Sequence, residues 1–212
     1  MGVGSAWGWT TDGIADLSEP KGDLTINVNP GVYAFYNRAA VTGLTTTATE
    51  IGGHAFDGCS GLTKVHAPFA ATGQSAFARC TNLLVGVVKT ASSGWCFEGC
   101  GRLQTADIRS GNVAGSSFKG CANLQTIILR GAALQVLSNT NAFDNSAFKS
   151  GGTGGTIYIP KSLFNHLGDG TASDYKAANN WATIDGYGTI TWAQIEGSAY
   201  DGCWADGTPI RT

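Results

Sequence analysis

Apolar residues recur along the middle of the chain at a long, fixed interval. Phenylalanine stands at Phe56, Phe77, Phe97 and Phe118, spaced 21, 20 and 21 residues apart. Each is followed three positions on by a cysteine (Cys59, Cys80, Cys100, Cys121) and six positions on by a leucine (Leu62, Leu83, Leu103, Leu124). A period held in both aromatic and aliphatic positions predicts a solenoid, because one such unit cannot bury its own apolar face and must stack on its neighbours. The β-prone runs at 62–65, 83–88, 103–108 and 124–129 alternate inward and outward as half-buried strands do. Gly58, Gly99 and Gly120 stand just before the cysteine, where they permit a tight turn.

The pattern loosens at both ends. Twenty-one residues before Phe56 stands Phe35, with Arg38 in the cysteine slot and Val41 in the leucine slot, so the array begins there with a degenerate unit. Phe143 follows Phe118 at a spacing of 25, with Ser146 in the cysteine slot, which predicts a last unit carrying a four-residue insertion within 132–141. Before the array, the run LTINV (24–28) reads as a strand that starts the first layer, while Trp7 and Trp9 share one side of an extended chain and are expected to pack on the first repeat in preference to meeting another subunit. After it, 188–195 reads as a strand followed by a turn-rich tail.

In a stacked array the repeated cysteines and phenylalanines lie above one another, giving a buried ladder of Cys59, Cys80, Cys100 and Cys121 beside Phe56, Phe77, Phe97 and Phe118. A free thiol in that place behaves as a small hydrophobe. Zinc is disfavoured because its ligands must converge on one point, whereas an axial ladder spreads them along a line. Disulfides between neighbouring rungs are disfavoured by the dihedral they require. Cys96 and Cys203 lie off the ladder and are the candidates for redox or pairing chemistry.

Composition narrows the function classes. The 212 residues carry a formal charge of −2 and only 13% charged residues, with 31 glycines and 42% hydrophobic content. That profile suits a turn-dense β protein with a real core and offers no basic stripe for nucleic acid or anionic membranes. The first residues lack a basic segment ahead of an apolar run, so neither a signal peptide nor membrane insertion is expected of this stretch. His54, His66 and His166 have no metal-ligating spacing, and no nucleophile elbow, phosphate loop or dinucleotide fingerprint occurs. The glycine-rich 151–155 reads as a connection into the strand IYIP, and Asp201 and Asp206, each followed by Gly, read as turns in preference to a calcium site. No cofactor and no catalytic residue is expected.

The units IGGHAFDGCSGLTKV, SAFARCTNLL, CFEGCGRLQTADI and SSFKGCANLQTIIL resemble bacterial leucine-rich repeats of the BspA type, whose pattern is I-x-x-x-A-F-x-x-C-x-x-L-x-x-I-x-L-P. The resemblance runs from about Val32 to Ile159; Cys96 and Ser117 replace the alanine before Phe, and Pro68 is the one clear strand-ending proline. The segment with Pro160, Tyr175, Lys176, Ala178 and Trp181 is similar to the closing helix of such arrays, with Ser173 able to cap it. The resemblance implies a BspA-type leucine-rich-repeat solenoid of short β-strands and turns with a C-terminal helical cap. Its expected parts are a non-repeat segment (1–30), the solenoid (31–159), the cap (160–184) and a strand with a tail (185–212).

It also implies a non-catalytic recognition or adhesion module, extracellular, at a cell surface or virion-associated, that binds a protein or glycan on a host or bacterial surface. Because solenoids bind through an extended face, Lys64, His66, Lys89, Asp107, Arg109 and Arg130 are the candidate ligand-binding residues. The alternatives are a structural or receptor-binding part of a phage fibre-like homo-oligomer and, more weakly, a carbohydrate-active enzyme whose carboxylates meet only in space.

Overall fold

A computed structural model describes residues 20–164, 175 and 179–210. Trp7, Trp9, His166, Ser173, Lys176 and Ala178 lie outside the described residues.

The chain winds into a leucine-rich-repeat solenoid whose main strands form one parallel sheet. The strands are β1 (Gly22–Ile26), β2 (Val41–Thr46), β3 (Glu50–Ile51), β4 (Lys64–Thr72), β5 (Val85–Thr90), β6 (Thr105–Ile108), β7 (Thr126–Leu129), β8 (Gly155–Ile159) and β9 (Ile190–Gln194). Their spatial order is β1-β2-β4-β5-β6-β7-β8-β9, with β3 paired beside the far end of β4. Equivalent residues are neighbours across the sheet: Lys64 lies beside Val85, then come Thr105, Thr126 and Thr156.

The array strands start after the leucines. The Leu62, Leu83, Leu103 and Leu124 amides each donate back to the cysteine carbonyl three residues earlier, at 3.0–3.2 Å. An amide used to close its own turn is withdrawn from the sheet ladder. Pro68 sits where the β4–β5 register jumps from Ala67 to Ala71, so it marks a bulge inside β4 and does not end the strand.

Each phenylalanine from Phe35 to Phe118 lies in a turn with left-handed backbone on both sides, and Phe143 has it on the C-terminal side alone. Two residues before Phe stand Tyr33, His54, Ser75, Trp95 and Ser116, and two after stand Asn37, Gly58, Arg79, Gly99, Gly120 and Asn145, all with φ between 52° and 76°. This shape aims amides along the solenoid axis. Phe56, for example, donates to Ala76 at 2.8 Å and Gly58 donates to Ala78 at 2.8 Å in the next coil. The turns thereby form a second inter-coil ladder, which satisfies backbone groups that burial would otherwise leave unpaired.

Inside, Phe35, Phe56, Phe77, Phe97, Phe118 and Phe143 form one stacked column, with ring centroids 4.7–5.8 Å apart and interplanar angles of 7–16°. Each ladder thiol donates to the phenylalanine carbonyl of the preceding coil: Cys59 to Phe35, Cys80 to Phe56, Cys100 to Phe77 and Cys121 to Phe97, at 3.0–3.1 Å. In the last coil the Ser146 hydroxyl turns to its own coil and donates to Phe143 O at 2.7 Å.

Trp181, in helix α2 (Asn179–Asp185), closes the column at 6.1 Å from Phe143. A shorter helix, α1 (Lys161–Phe164), follows β8. The insertion is an arm between Arg130 and Leu137, pinned by the buried Gln135. Its side chain accepts from Gly131 N and donates to Gly111 O, its amide donates to the Tyr175 hydroxyl, and its carbonyl accepts from Trp181 Nε1.

Candidate functional site

One outward row crosses the sheet in register: His66, Val87, Asp107, Ile128 and Tyr158. These residues alternate with Val65, Val88, Ala106, Ile108, Ile127 and Leu129, which belong to the core. A parallel sheet is ordinarily covered on both faces. Here Val87, Asp107 and Ile128 are fully buried.

The chain's own tail covers them. After β9 it turns back across the sheet, and Tyr200 meets Tyr158 edge to face at 4.8 Å. Asp107 accepts from Arg130 Nε and Nη2, both at 2.8 Å, and from the Ala205 amide at 2.8 Å. Arg130 also donates to Cys203 O at 2.7 Å and Tyr200 O at 3.3 Å, and its guanidinium lies 5.1 Å from the Trp204 ring centre. The side chains of this pair are 9% and 0% exposed. Burial pushes the Asp107 carboxyl up from its ordinary value, against the pull of Arg130 and the Ala205 amide.

Further along, Asp206 Oδ2 faces His66 Nδ1 at 2.9 Å and Lys64 Nζ at 3.4 Å. His66 Nδ1 and Asp206 Oδ2 are both buried. Burial would raise the Asp206 carboxyl, but the His66 imidazole and the Thr208 amide and hydroxyl outweigh it and hold the group well below the usual carboxylate range. Lys64, His66, Asp107 and Arg130 therefore hold the tail, residues 196–210, as a strap over the sheet face. Lys89 is half-buried and Arg109 exposed; the Arg109 guanidinium lies 4.8 Å from the centre of the exposed Phe69 ring.

A different constellation faces solvent on the turn side of the first coils. Tyr33 stacks flat on His54 at 4.8 Å and meets Tyr36 edge to face at 5.4 Å. Asp57, whose side chain is 3% exposed, accepts from Arg79 Nε and Nη2 at 2.8 Å, while His54 Nδ1 lies 2.9 Å from its Oδ2. Arg79 Nη2 also donates to the Tyr36 hydroxyl at 3.2 Å. Tyr33, Tyr36 and the Arg79 side chain remain 54%, 37% and 58% exposed.

Tyr33, His54 and Arg79 occupy left-handed slots that other coils fill with Ser75, Ser116, Gly58, Gly99 or Gly120. A bulky residue held there costs on the order of 1 kcal/mol or more relative to glycine. Trp95, 40% exposed, keeps the same slot two coils beyond His54. Sequence reasoning passed over this cluster. Its signal was the aromatic and imidazole side chains at Tyr33, His54 and Trp95, two residues before Phe in slots that elsewhere hold serine.

The cysteines offer little reactivity. Cys96, in the alanine slot before Phe97, is buried against Thr72 Oγ1 at 3.4 Å, and burial pushes its thiol up to about 12. Cys203 is half-buried in the strap and donates to Ala199 O at 3.2 Å. All six thiols are free. Among the described residues no group of three or more His, Cys, Asp or Glu is placed to hold a metal ion. Asp201 accepts from the Gly197 amide and Asp206 from the Thr208 amide, so both close local turns.

Stacked Phe-Cys-Leu coils with one strand per turn define a leucine-rich-repeat solenoid. The model of the BspA-type leucine-rich repeat region matches the chain in six copies, over residues 29–149 and 89–169. The chain belongs to that family. Comparisons with curated proteins and with solved structures found no match.

Proposed function

We propose that this protein is a non-catalytic recognition module of the adhesion type, acting outside the cell or on a virion and binding a protein or glycan through the turn face of its coils. The observation that carries the reading is the exposure of the large side chains Tyr33, Trp95 and Arg79 on the turns, Arg79 at a left-handed position that other coils fill with Gly58, Gly99 or Gly120 at lower cost. A side chain kept at a conformational cost and left in solvent contributes little to stability and much to a contact surface. Arg109, just past β6, with Phe69 of β4 supplies a second exposed cation-aromatic pair. The strap supports placing recognition on the turns, since it occupies the sheet face. A broad glycan and protein array probed with folded protein tests this: binding that weakens when Trp95 or Tyr33 is replaced by serine is expected, and silence across the panel would remove the proposal.

The fibre-like reading draws on a separate observation. Among the described residues β1 pairs only with β2, and Val28 and Val32 beyond it are exposed. An unpaired parallel edge is a template for another chain. Native mass measurement across concentration should show a defined homo-oligomer if this edge assembles, and a persistent monomer rejects it.

A further inference from the structure

The corner formed by Tyr33, Tyr36 and Arg79 has a donor pattern that goes beyond a general adhesive surface. Asp57 holds Nε and Nη2 of Arg79, and the same Nη2 reaches the Tyr36 hydroxyl. The guanidinium is thus locked in one orientation, with the two N–H groups of Nη1 left for a ligand among the described residues. The Tyr36 oxygen, which accepts from Arg79, still has its own proton to give. The charged acceptor of the cluster, the Asp57 carboxylate, is buried. Beside the phenol oxygens, the corner presents to solvent the two Nη1 N–H groups of a fixed guanidinium, a donor pair that suits an oxygen anion.

Beside the donors stands a ring. Tyr33 is braced against His54 and more than half exposed. The C–H face of a pyranose is apolar and weakly positive, which suits the negative face of an aromatic ring. A flat ring next to a fixed guanidinium matches a sugar whose acidic group projects from the ring edge.

We infer that Tyr33, Tyr36 and Arg79 form a subsite for an anionic saccharide, a pyranose bearing a carboxylate or sulfate. The inference rests on the recognition reading above and names the ligand class of that same turn face. Asp57 and His54 are positioning residues: they fix Arg79 and Tyr33 and do not touch the sugar.

Calorimetric titration of the intact chain with an oligogalacturonate, a heparin-derived oligosaccharide and a neutral malto-oligosaccharide tests it. Binding of one or both anionic sugars with no matching affinity for the neutral one is expected, and the stronger of the two arms identifies carboxylate or sulfate as the recognised group. Arg79→Gly, which installs the residue three other coils carry in this slot, should lower anionic-sugar affinity about tenfold or more. Arg79→Lys should lower it too, because an ammonium cannot hold Asp57 in a fork and still present a second fixed pair of donors. Tyr33→Ser, the residue of two equivalent slots, should weaken saccharide binding severalfold by removing the ring. Melting by circular dichroism confirms that each variant is folded, and if Arg79→Gly does not fold, the other two carry the test. Equal affinity for neutral and acidic sugars, or full affinity in a folded Arg79 variant, overturns the inference. Array binding of a protein or neutral glycan in a chain that ignores acidic sugars overturns the saccharide class and leaves the recognition reading standing; no binding to anything overturns both.

Discussion

The phenylalanine carbonyl is the atom on which two coils meet. Phe56 O accepts the Cys59 amide of its own turn and the Cys80 thiol of the next coil, both at 3.1 Å. Burial pushes the ladder thiols upward, Cys59 to about 12 and Cys80, Cys100 and Cys121 in the same direction. The thiolate is the reactive form. At pH 8 a thiol reagent should therefore modify only Cys203 quickly in the folded chain and all six cysteines after denaturation; a second fast thiol under native conditions would contradict the dry ladder. Gly86 shows the same close packing from the strand side. It stands in register between Val65 and Ala106, yet a Cβ there would lie 2.8 Å from Cε1 of Phe97. Gly86→Ala should cost about 1–3 kcal/mol in denaturant unfolding, whereas Gly101→Ala, with open space at the added carbon, should change stability little. The repeat made the Phe and Cys slots legible at this scale, but the thiol's partner was not, because a hydrogen bond to a neighbouring coil's carbonyl leaves no mark on side-chain spacing.

At the scale of elements, the strap turns an ordinary sheet face into an interior surface. Its far end depends on Asp206, whose folded-state value lies below the free-carboxylate range of about 4. A depressed carboxyl stabilises the closed strap fully above about pH 4, and that contribution is lost as pH falls through the lowered folded value. The raised Asp107 carboxyl has the opposite sign in the same linkage, so the two are separated by substitution. Trp204 fluorescence should report strap release on acidification below about pH 4, and Asp206→Asn should be weaker at neutral pH and lose that part of the acid response. An unchanged acid profile in the variant would place the pH dependence elsewhere. Removing Arg130 leaves Asp107 buried and uncompensated, and Arg130→Met is expected to cost about 3–5 kcal/mol. Lys64 and His66 of β4, Asp107 of β6 and Arg130 just past β7 were visible in the sequence; that they face the tail was not, since the tail's Asp-Gly turns read the same whether they hang free or fold back.

For the whole molecule, the strap supplies what stacking lacks. Coils in a solenoid interact only with their neighbours, so stability accumulates locally and partial unfolding from an end is easy. The bond from Ala205 N to Asp107 spans 98 residues, and Arg130 reaches residues 70 and 73 positions away. These contacts tie the late coils to the middle of the array. A chain ended after Glu196 should unfold at lower urea with a broadened or two-step transition and a smaller apparent slope; an unchanged single transition would show that the stacked coils already unfold as one unit.

What the sequence determined by itself was everything that repeats: the solenoid, its Phe-Cys-Leu column, the position of the insertion and the family. Equivalent residues on successive coils lie beside one another by construction, so a period in the chain is a statement about contacts in space. Only the tertiary structure decided which face is open. The tail returns across the sheet through contacts that occur once, several of them between residues 70 to 98 positions apart, and the Tyr33 and Arg79 corner depends on backbone handedness and on one buried carboxylate. Contacts of that kind arise from where the chain goes after its last strand and how its turns aim their side chains, and neither is encoded in a local pattern.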